Sequence, residues 1–328
     1  MRAISYDTFG PASEVLELGD LPTPTAEAGE VLVRLARSGV NPSDAKARAG
    51  ARPGVTKPAF PRIIPHSDGA GVIEAVGAGV DAARVGERVW VWNGQWQRAF
   101  GTAAEYIALP AEQAVPLPDD VSLDHGATLG IPGLTAAHTV FGGGDVAGKT
   151  LLISGGAGAV GHNAVQLAKW GGATVIATCS AGASERVRAA GADHVLDYTS
   201  PDLAADILEA SVGGVDRAVE VEFGANAAML AEVLRPGGTV AAYGSGKEMT
   251  PTLPFGPYLF KAITIDITLI YLLETAKRDT AIALLHGALQ SGGLTPAIHA
   301  QFDLADCAKA HDAVMAPGRT GAVLLDIA

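Results

Sequence analysis

The stretch Thr150-Leu-Leu-Ile-Ser154 runs directly into Gly155-Gly156-Ala157-Gly158-Ala159-Val160-Gly161. A short apolar run, a glycine cluster and a helical pattern spell strand, turn and helix. Gly156, Gly158 and Gly161 fall at the G-x-G-x-x-G spacing inside that unit. Each glycine then has a separate use: the first allows a tight turn, the second lets the backbone approach a pyrophosphate, and the third lets the helix pack close to the strand. The helix start offers free N–H groups and a positive dipole end to phosphates. Gly156, Ala157, Gly158, Ala159, Val160 and Gly161 are therefore the candidate cradle for a dinucleotide. A glycine turn between strand and helix is also a common structural device, so the following elements carry the decision.

Those elements alternate. Ala159–Trp170 places Val160, Ala164, Leu167 and Ala168 on one helical face. Short strands are expected at 174–178, 194–197, 217–221, 239–243 and 263–269, with helices at 184–190, 203–210 and 227–234 between the earlier ones. Alternation of this kind implies a parallel sheet covered on both faces. Ligands of such sheets bind beyond the carboxyl ends of the strands, where the glycine turn and Gly244-Ser245-Gly246 both fall. The run Ile263-Thr-Ile-Asp-Ile-Thr-Leu269 reads either as an exposed edge that pairs with a second copy, giving a homodimer, or as a buried internal strand.

The first third of the chain is different. It is rich in Gly, Pro and short β-branched runs at 31–35, 71–76, 87–92 and 105–109, which suggests a compact β-rich domain. Residues 111–122 read as a connection. Residues 123–141 read as a helix, a turn at Pro132-Gly133 and a second helix. A chain of 328 residues has room for two domains, expected as 1–122, 123–271 and a return segment 272–328. With 48% apolar and 18% charged residues the chain is not disordered. A net charge of −12 argues against nucleic acid or an anionic membrane as partner. The opening Met-Arg-Ala-Ile-Ser-Tyr looks like a first strand and not a signal peptide, and no apolar run reaches spanning length. Only Cys179 and Cys307 occur, so a disulfide framework is not expected. The expected compartment is the cytoplasm.

Preference for one nicotinamide dinucleotide is read at the end of the second strand. An acidic side chain there would grip a ribose 2′-hydroxyl and repel a 2′-phosphate. The residues present are Thr178-Cys179-Ser180. This permits NADPH, with Ser180 as a donor to the phosphate and Arg186 or Arg188 in reach of it. Both arginines also read as ordinary exposed helix charges.

Further stretches carry a resemblance. They are Gly39-Val-Asn41-Pro42-Ser-Asp44, Pro65-His66-Ser67-Asp68-Gly-Ala-Gly71, Gly86-Glu-Arg-Val89, Gly101-Thr-Ala-Ala-Glu105-Tyr106, Gly130-Ile131-Pro-Gly-Leu-Thr135 and Tyr243-Gly244-Ser245. With the glycine turn, at this order and spacing, they resemble the zinc-independent quinone oxidoreductases, the zeta-crystallin type, of the medium-chain dehydrogenase/reductase superfamily. The resemblance implies an α/β chain with a GroES-like β-rich catalytic domain, a Rossmann cofactor domain, and an active site in the cleft between them. It also implies roles. Asn41 hydrogen-bonds substrate or cofactor, Asp44 braces the cleft, Thr135 brackets the nicotinamide, Tyr198 packs near the adenosine phosphate, and Gly244 and Ser245 pass along the cofactor.

Zinc-binding relatives carry metal ligands at positions matching Asn41, Ser67 and Ile131, and these three side chains are not a zinc set. No metal is therefore expected. His66 stands where relatives often have glycine, and reads as a lone ligand, a proton donor or a hydrogen-bonded histidine. Lys46 replaces a frequent tyrosine, Glu220-Val-Glu222 is unusually acidic, and Ala322 replaces a common lysine. The loop Trp92–Phe100 with Phe255, Tyr258 and Tyr271 can wall a flat acceptor pocket. A metal-free site suits acceptors already activated by conjugation. The expected activity is NADPH-dependent reduction of a quinone or related conjugated carbonyl. The alternatives are an enone or alkenal double-bond reductase and a redox-inactive NADPH-binding protein.

Overall fold

In a computed structural model, which describes residues 1–51 and 54–327, the chain packs as two units. One is Met1–Pro132 with Ala297–Ala328, the other Gly133–Pro296.

The second unit is built on six parallel strands. Their order across the sheet is His194–Asp197, Thr174–Cys179, Thr150–Ile153, Val215–Glu220, Leu234–Ala242 and Thr264–Ile267. Numbered along the chain from Thr150 this is 3-2-1-4-5-6, the doubly wound order whose direction reverses beside the first strand. Leu151, Leu152 and Ile153 are fully buried because helices cover both faces. Helix Ala159–Trp170 follows the glycine turn and buries Ala164, Val165, Leu167 and Ala168. The outermost strand, Thr264–Ile267, pairs on one side only among the described residues, and Ile267 is 77% exposed. The internal-strand alternative for 263–269 is thus overturned: the segment is an edge.

The first unit holds a seven-stranded sheet. Ile298–Asp303, Ala322–Asp326, Glu30–Val40, Asp68–Val76, Arg88–Val91 and Ala114–Pro116 lie in that order, and Tyr106–Pro110 also pairs with Glu30–Val40. Val31, Val33, Leu35, Ile73, Val89 and Val91 alternate inward into one core. Helix Cys307–Met315 closes over that core and packs against helix Pro42–Arg48.

Several local expectations change. Residues 111–122 are more than a connection, since Ala114–Pro116 pairs with Arg88–Val91. The turn expected at Pro132-Gly133 is a π-helical turn, Leu129–Gly133, continuing into helix Leu134–Phe141. Proline cannot supply an N–H to a helical ladder, and the widened turn absorbs that loss. The unit boundaries fall at 132/133 and 296/297 where 122/123 and 271/272 were expected. Helix Thr275–Gln290 packs on Leu134–Phe141, so both go with the parallel sheet. Only the strands after 297 return, pairing with Glu30–Val40 through Ala322–Asp326.

Candidate active site

The glycine turn sits at the carboxyl end of Thr150–Ile153, beside the reversal in strand order. Gly155 takes the left-handed conformation, φ +68°, so the tight turn expected at Gly156 is made one residue earlier. Gly156 instead packs: a Cβ there would lie 3.1 Å from both Ala177 and Val187 side-chain atoms. Its N–H donates to the Thr178 carbonyl at 2.8 Å, tying the turn to the second strand. A Cβ on Gly161 would meet the Gly155 carbonyl oxygen at 2.1 Å, so the helix comes closer than any side chain allows. At Gly158 a Cβ would have only one neighbour, 3.5 Å away. This glycine faces open space, and no side chain caps the helix it begins. An uncapped helix start with an open approach is an anion seat.

Ser180 and Arg186 are exposed near the second strand's end. His162, in the first turn of the glycine helix, has its pKa lowered to about 4 by burial and by the Arg186 charge, which puts that guanidinium's field on the helix start. Arg188 is also exposed. Tyr198 is half exposed, and the Lys247 ammonium lies 5.7 Å from its ring centroid. Sequence reasoning passed over Lys247, because only folding brings the loop after the fifth strand beside Tyr198.

Gly244 and Ser245 follow the fifth strand. A Cβ on Gly244 would strike the Val221 carbonyl oxygen at 2.5 Å. The Ser245 hydroxyl accepts from Gly224 N–H at 2.8 Å and donates to the Glu248 carbonyl. Its hydroxyl thus holds the loop onto helix Phe223–Val233. Glu220, fully buried at the end of the fourth strand, accepts from Ser154 at 2.5 Å, Asn226 at 3.0 Å and the Glu222 N–H at 2.5 Å. Burial pushes its carboxyl above the ordinary range. Thr135 is buried in the first turn of Leu134–Phe141, and its carbonyl accepts from Thr139 at 2.7 Å.

In the first unit Asn41 precedes helix Pro42–Arg48. Its N–H donates to the Asp44 carboxylate at 2.8 Å, the backward half of a capping box. Its side-chain amide donates to Asp68 at 2.8 Å, and the Ile131 N–H reaches both Asp68 oxygens at 2.9 Å. Asp44 and Asp68 are buried, and neither has a salt bridge among the described residues. Burial lifts Asp44 to about 7. It lifts Asp68 well above the ordinary range, with the Asp44 charge adding to the effect. Asp68 was not among the expected site residues, yet it joins Asn41 to Ile131. Two of the three positions matched to zinc ligands are thus bonded to one carboxylate.

His66 is fully buried and left-handed, φ +77°, a conformation costing a non-glycine residue on the order of 1–3 kcal/mol. That explains why glycine suits the position. Its ring lies between Ser38, 2.9 Å from Nδ1, and His311, 2.8 Å from Nε2. Of the aromatic set, Phe255 is exposed, whereas Tyr258 is 4% exposed with its hydroxyl donating to the Ala227 carbonyl at 3.0 Å. Tyr258 packs inside its own unit and offers no ring to an acceptor.

Known proteins agree with this architecture. The alcohol dehydrogenase GroES-like domain family matches residues 27–119, and the zinc-binding dehydrogenase family matches residues 159–286. Mouse quinone oxidoreductase is 31% identical over 335 residues, spanning 99% of this chain and 97% of its own. A solved NAD-dependent alcohol dehydrogenase superposes with a TM-score of 0.89 at 27% identity, covering all of both chains. A mycobacterial protein solved with NADPH gives 0.85 at 29% identity, over 99% of each chain. Fold and site together define an NAD(P)-dependent oxidoreductase with GroES-like and Rossmann-type domains. Within that class, the chain belongs to the zeta-crystallin-like quinone oxidoreductases of the medium-chain dehydrogenase/reductase superfamily.

Proposed function

We propose that this protein reduces quinones with NADPH by hydride transfer, without a catalytic zinc ion, and acts as a homodimer. The observation that carries the reading is full-length similarity to quinone oxidoreductases. Bound NADPH supplies the hydride; the chain binds, orients and keeps water away. Gly158 leaves room for the pyrophosphate, and the first N–H groups of Ala159–Trp170 receive it. Ser180 and Arg186 take the 2′-phosphate, with Tyr198, Gly244 and Ser245 along the nucleotide. Thr135 brackets the nicotinamide. Asn41 orients the acceptor oxygen, and Asp44 fixes Asn41 while holding a proton close to neutral pH.

The donor chemistry at Asn41, Ser67 and Ile131 supports zinc independence. An amide, a hydroxyl and an aliphatic side chain do not make a zinc site. A quinone is already electrophilic, so positioning and desolvation carry the catalysis. The test is NADPH oxidation by purified protein with 1,4-quinones, enones and alkenals, each with and without a chelator. Quinone turnover that survives chelation supports the reading. Turnover of enones alone would mean a double-bond reductase. Tight NADPH binding without turnover would mean a binding protein, and activity restored only by Zn²⁺ would end the metal-free part.

A further inference from the structure

Helix Cys307–Met315 places Cys307 and His311 four residues apart, hence on one face. That face meets His66, at the start of the turn into strand Asp68–Val76. One ligand atom from each of the three lies within 4.8 Å of the other two, and all three residues are buried. The Cys307 sulfur is 3.9 Å from His66 Nε2, and the two Nε2 atoms are 2.8 Å apart.

The hydrogen-bond chain behind His66 fixes its tautomer. Thr102 donates its only hydroxyl hydrogen to the Asp68 carbonyl at 2.6 Å. Across the 2.8 Å contact between Ser38 and Thr102, Ser38 must therefore be the donor. With that hydrogen committed, Ser38 can only accept from His66, so Nδ1 carries the proton and Nε2 is a bare lone pair. A hydroxyl that pins Nδ1–H and leaves Nε2 free is what a ligating imidazole needs. His311 then donates Nε2–H to His66, and its Nδ1 is a buried atom without a partner.

We propose that His66, Cys307 and His311 form a buried three-coordinate site for a soft monovalent cation, copper(I), bound through the two Nε2 atoms and the Cys307 thiolate. Two imidazoles and one thiolate suit a thiophilic cation. Charge balance selects the monovalent ion. Copper(I) with one thiolate is neutral, whereas zinc(II) with the same ligands leaves a positive charge in a closed core already containing Arg48, whose charge acts on both Cys307 and His311. The other charged neighbours are Asp44, acting on Cys307, and the exposed Asp312, acting on Arg48. Burial pushes the free thiol up, so it is neutral until metal binds. On binding, the Cys307 S–H proton leaves to solvent and the His311 proton moves from Nε2 to Nδ1. The hydrogen bond between the rings is exchanged for two copper–nitrogen bonds, and copper stays in the +1 state. Opening the nitrogen pair to a trigonal angle needs a shift of about 0.7 Å.

The experiment refolds the full chain anaerobically with copper(I), and separately with zinc(II), then desalts against the chelator bicinchoninate. Copper held in a one-to-one ratio, with two nitrogen scatterers and one sulfur in its X-ray absorption spectrum, is expected. Cys179→Ala should keep it. Cys307→Ser and His66→Gly should each weaken retention about tenfold or more. Glycine accepts the φ of +77°, so His66→Gly should fold with an unchanged near-ultraviolet spectrum, and His66→Asn is the second variant at that position. Equal copper retention by these variants, preference for zinc, no retention at all, or a spectrum without sulfur overturns the proposal.

Discussion

The Asn41 side-chain amide donates to the buried Asp68 carboxylate at 2.8 Å while Asp68 also receives the Ile131 N–H. Asn41→Ala removes the side-chain donor of a buried carboxyl group and leaves the shared Ile131 N–H as its remaining partner. A loss of about 1–3 kcal/mol is expected, read as a lower urea midpoint. If Asn41 also orients the acceptor, kcat with a quinone falls as well, while NADPH affinity in a direct titration stays within about twofold.

Asp44 sets a pH dependence of stability. Its pKa is raised to about 7 in the fold by burial, against 3.8 for a free aspartate side chain. Below pH 4 the group is protonated in both states and its contribution is fully present. As pH rises from about 4 to about 7, the unfolded chain releases the proton first and stability falls, by up to about 4 kcal/mol. Above that window the contribution is flat. Asp44→Asn should remove this slope, so its urea midpoint should gain on the wild type between pH 4 and 7. Parallel curves would count against the shift.

The glycine turn separates packing from binding. Gly161→Ala drives a methyl group into the Gly155 carbonyl and should lower the melting temperature along with dinucleotide affinity. Gly158→Ala meets only one atom, at 3.5 Å, and φ there is −72°. It should fold with unchanged stability yet bind NADPH at least about tenfold more weakly, because its methyl group occupies the pyrophosphate approach. Calorimetry on both variants gives the comparison.

Arg186 tests cofactor choice. Removing an exposed guanidinium costs little stability, but a lost charge-assisted phosphate bond should raise the NADPH Kd about tenfold. The NADH Kd should barely change in Arg186→Ala. Equal binding of both dinucleotides by the wild type would end the preference outright.

The edge strand Thr264–Ile267 tests assembly. Ile267, Leu269 and Leu272 are 77%, 50% and 65% exposed, an unprotected apolar edge that strand pairing with a second copy would cover. Ile267→Lys should shift sedimentation from dimer to monomer. A wild type that sediments as a monomer would remove the dimer.

Much of the fold was legible in the chain because local chemistry wrote it there. Helix Ala159–Trp170 and strand His194–Asp197 lie where periodicity and glycine stops put them, and the parallel sheet follows from their alternation. Strand Ala114–Pro116 and the π turn through Pro132 did not show, since pairing partners and a widened turn leave no periodic signal. The glycine motif marked the turn between strand and helix, but its left-handed residue, Gly155, lies one position before the pattern's first glycine.

The amino-acid order by itself determined the strand–turn–helix unit, the uncharged end of the second strand and the unsuitability of Asn41, Ser67 and Ile131 for zinc, because each depends on residue type at one place. Tertiary structure alone decided that Asp68 gathers Asn41 and Ile131 and that Cys307 and His311 meet His66 across more than two hundred residues. Burial then pushes the Asp68 carboxyl and the Cys307 thiol up and the His66 imidazole down. Desolvation and hydrogen-bond direction belong to the packed interior, and no local pattern encodes them.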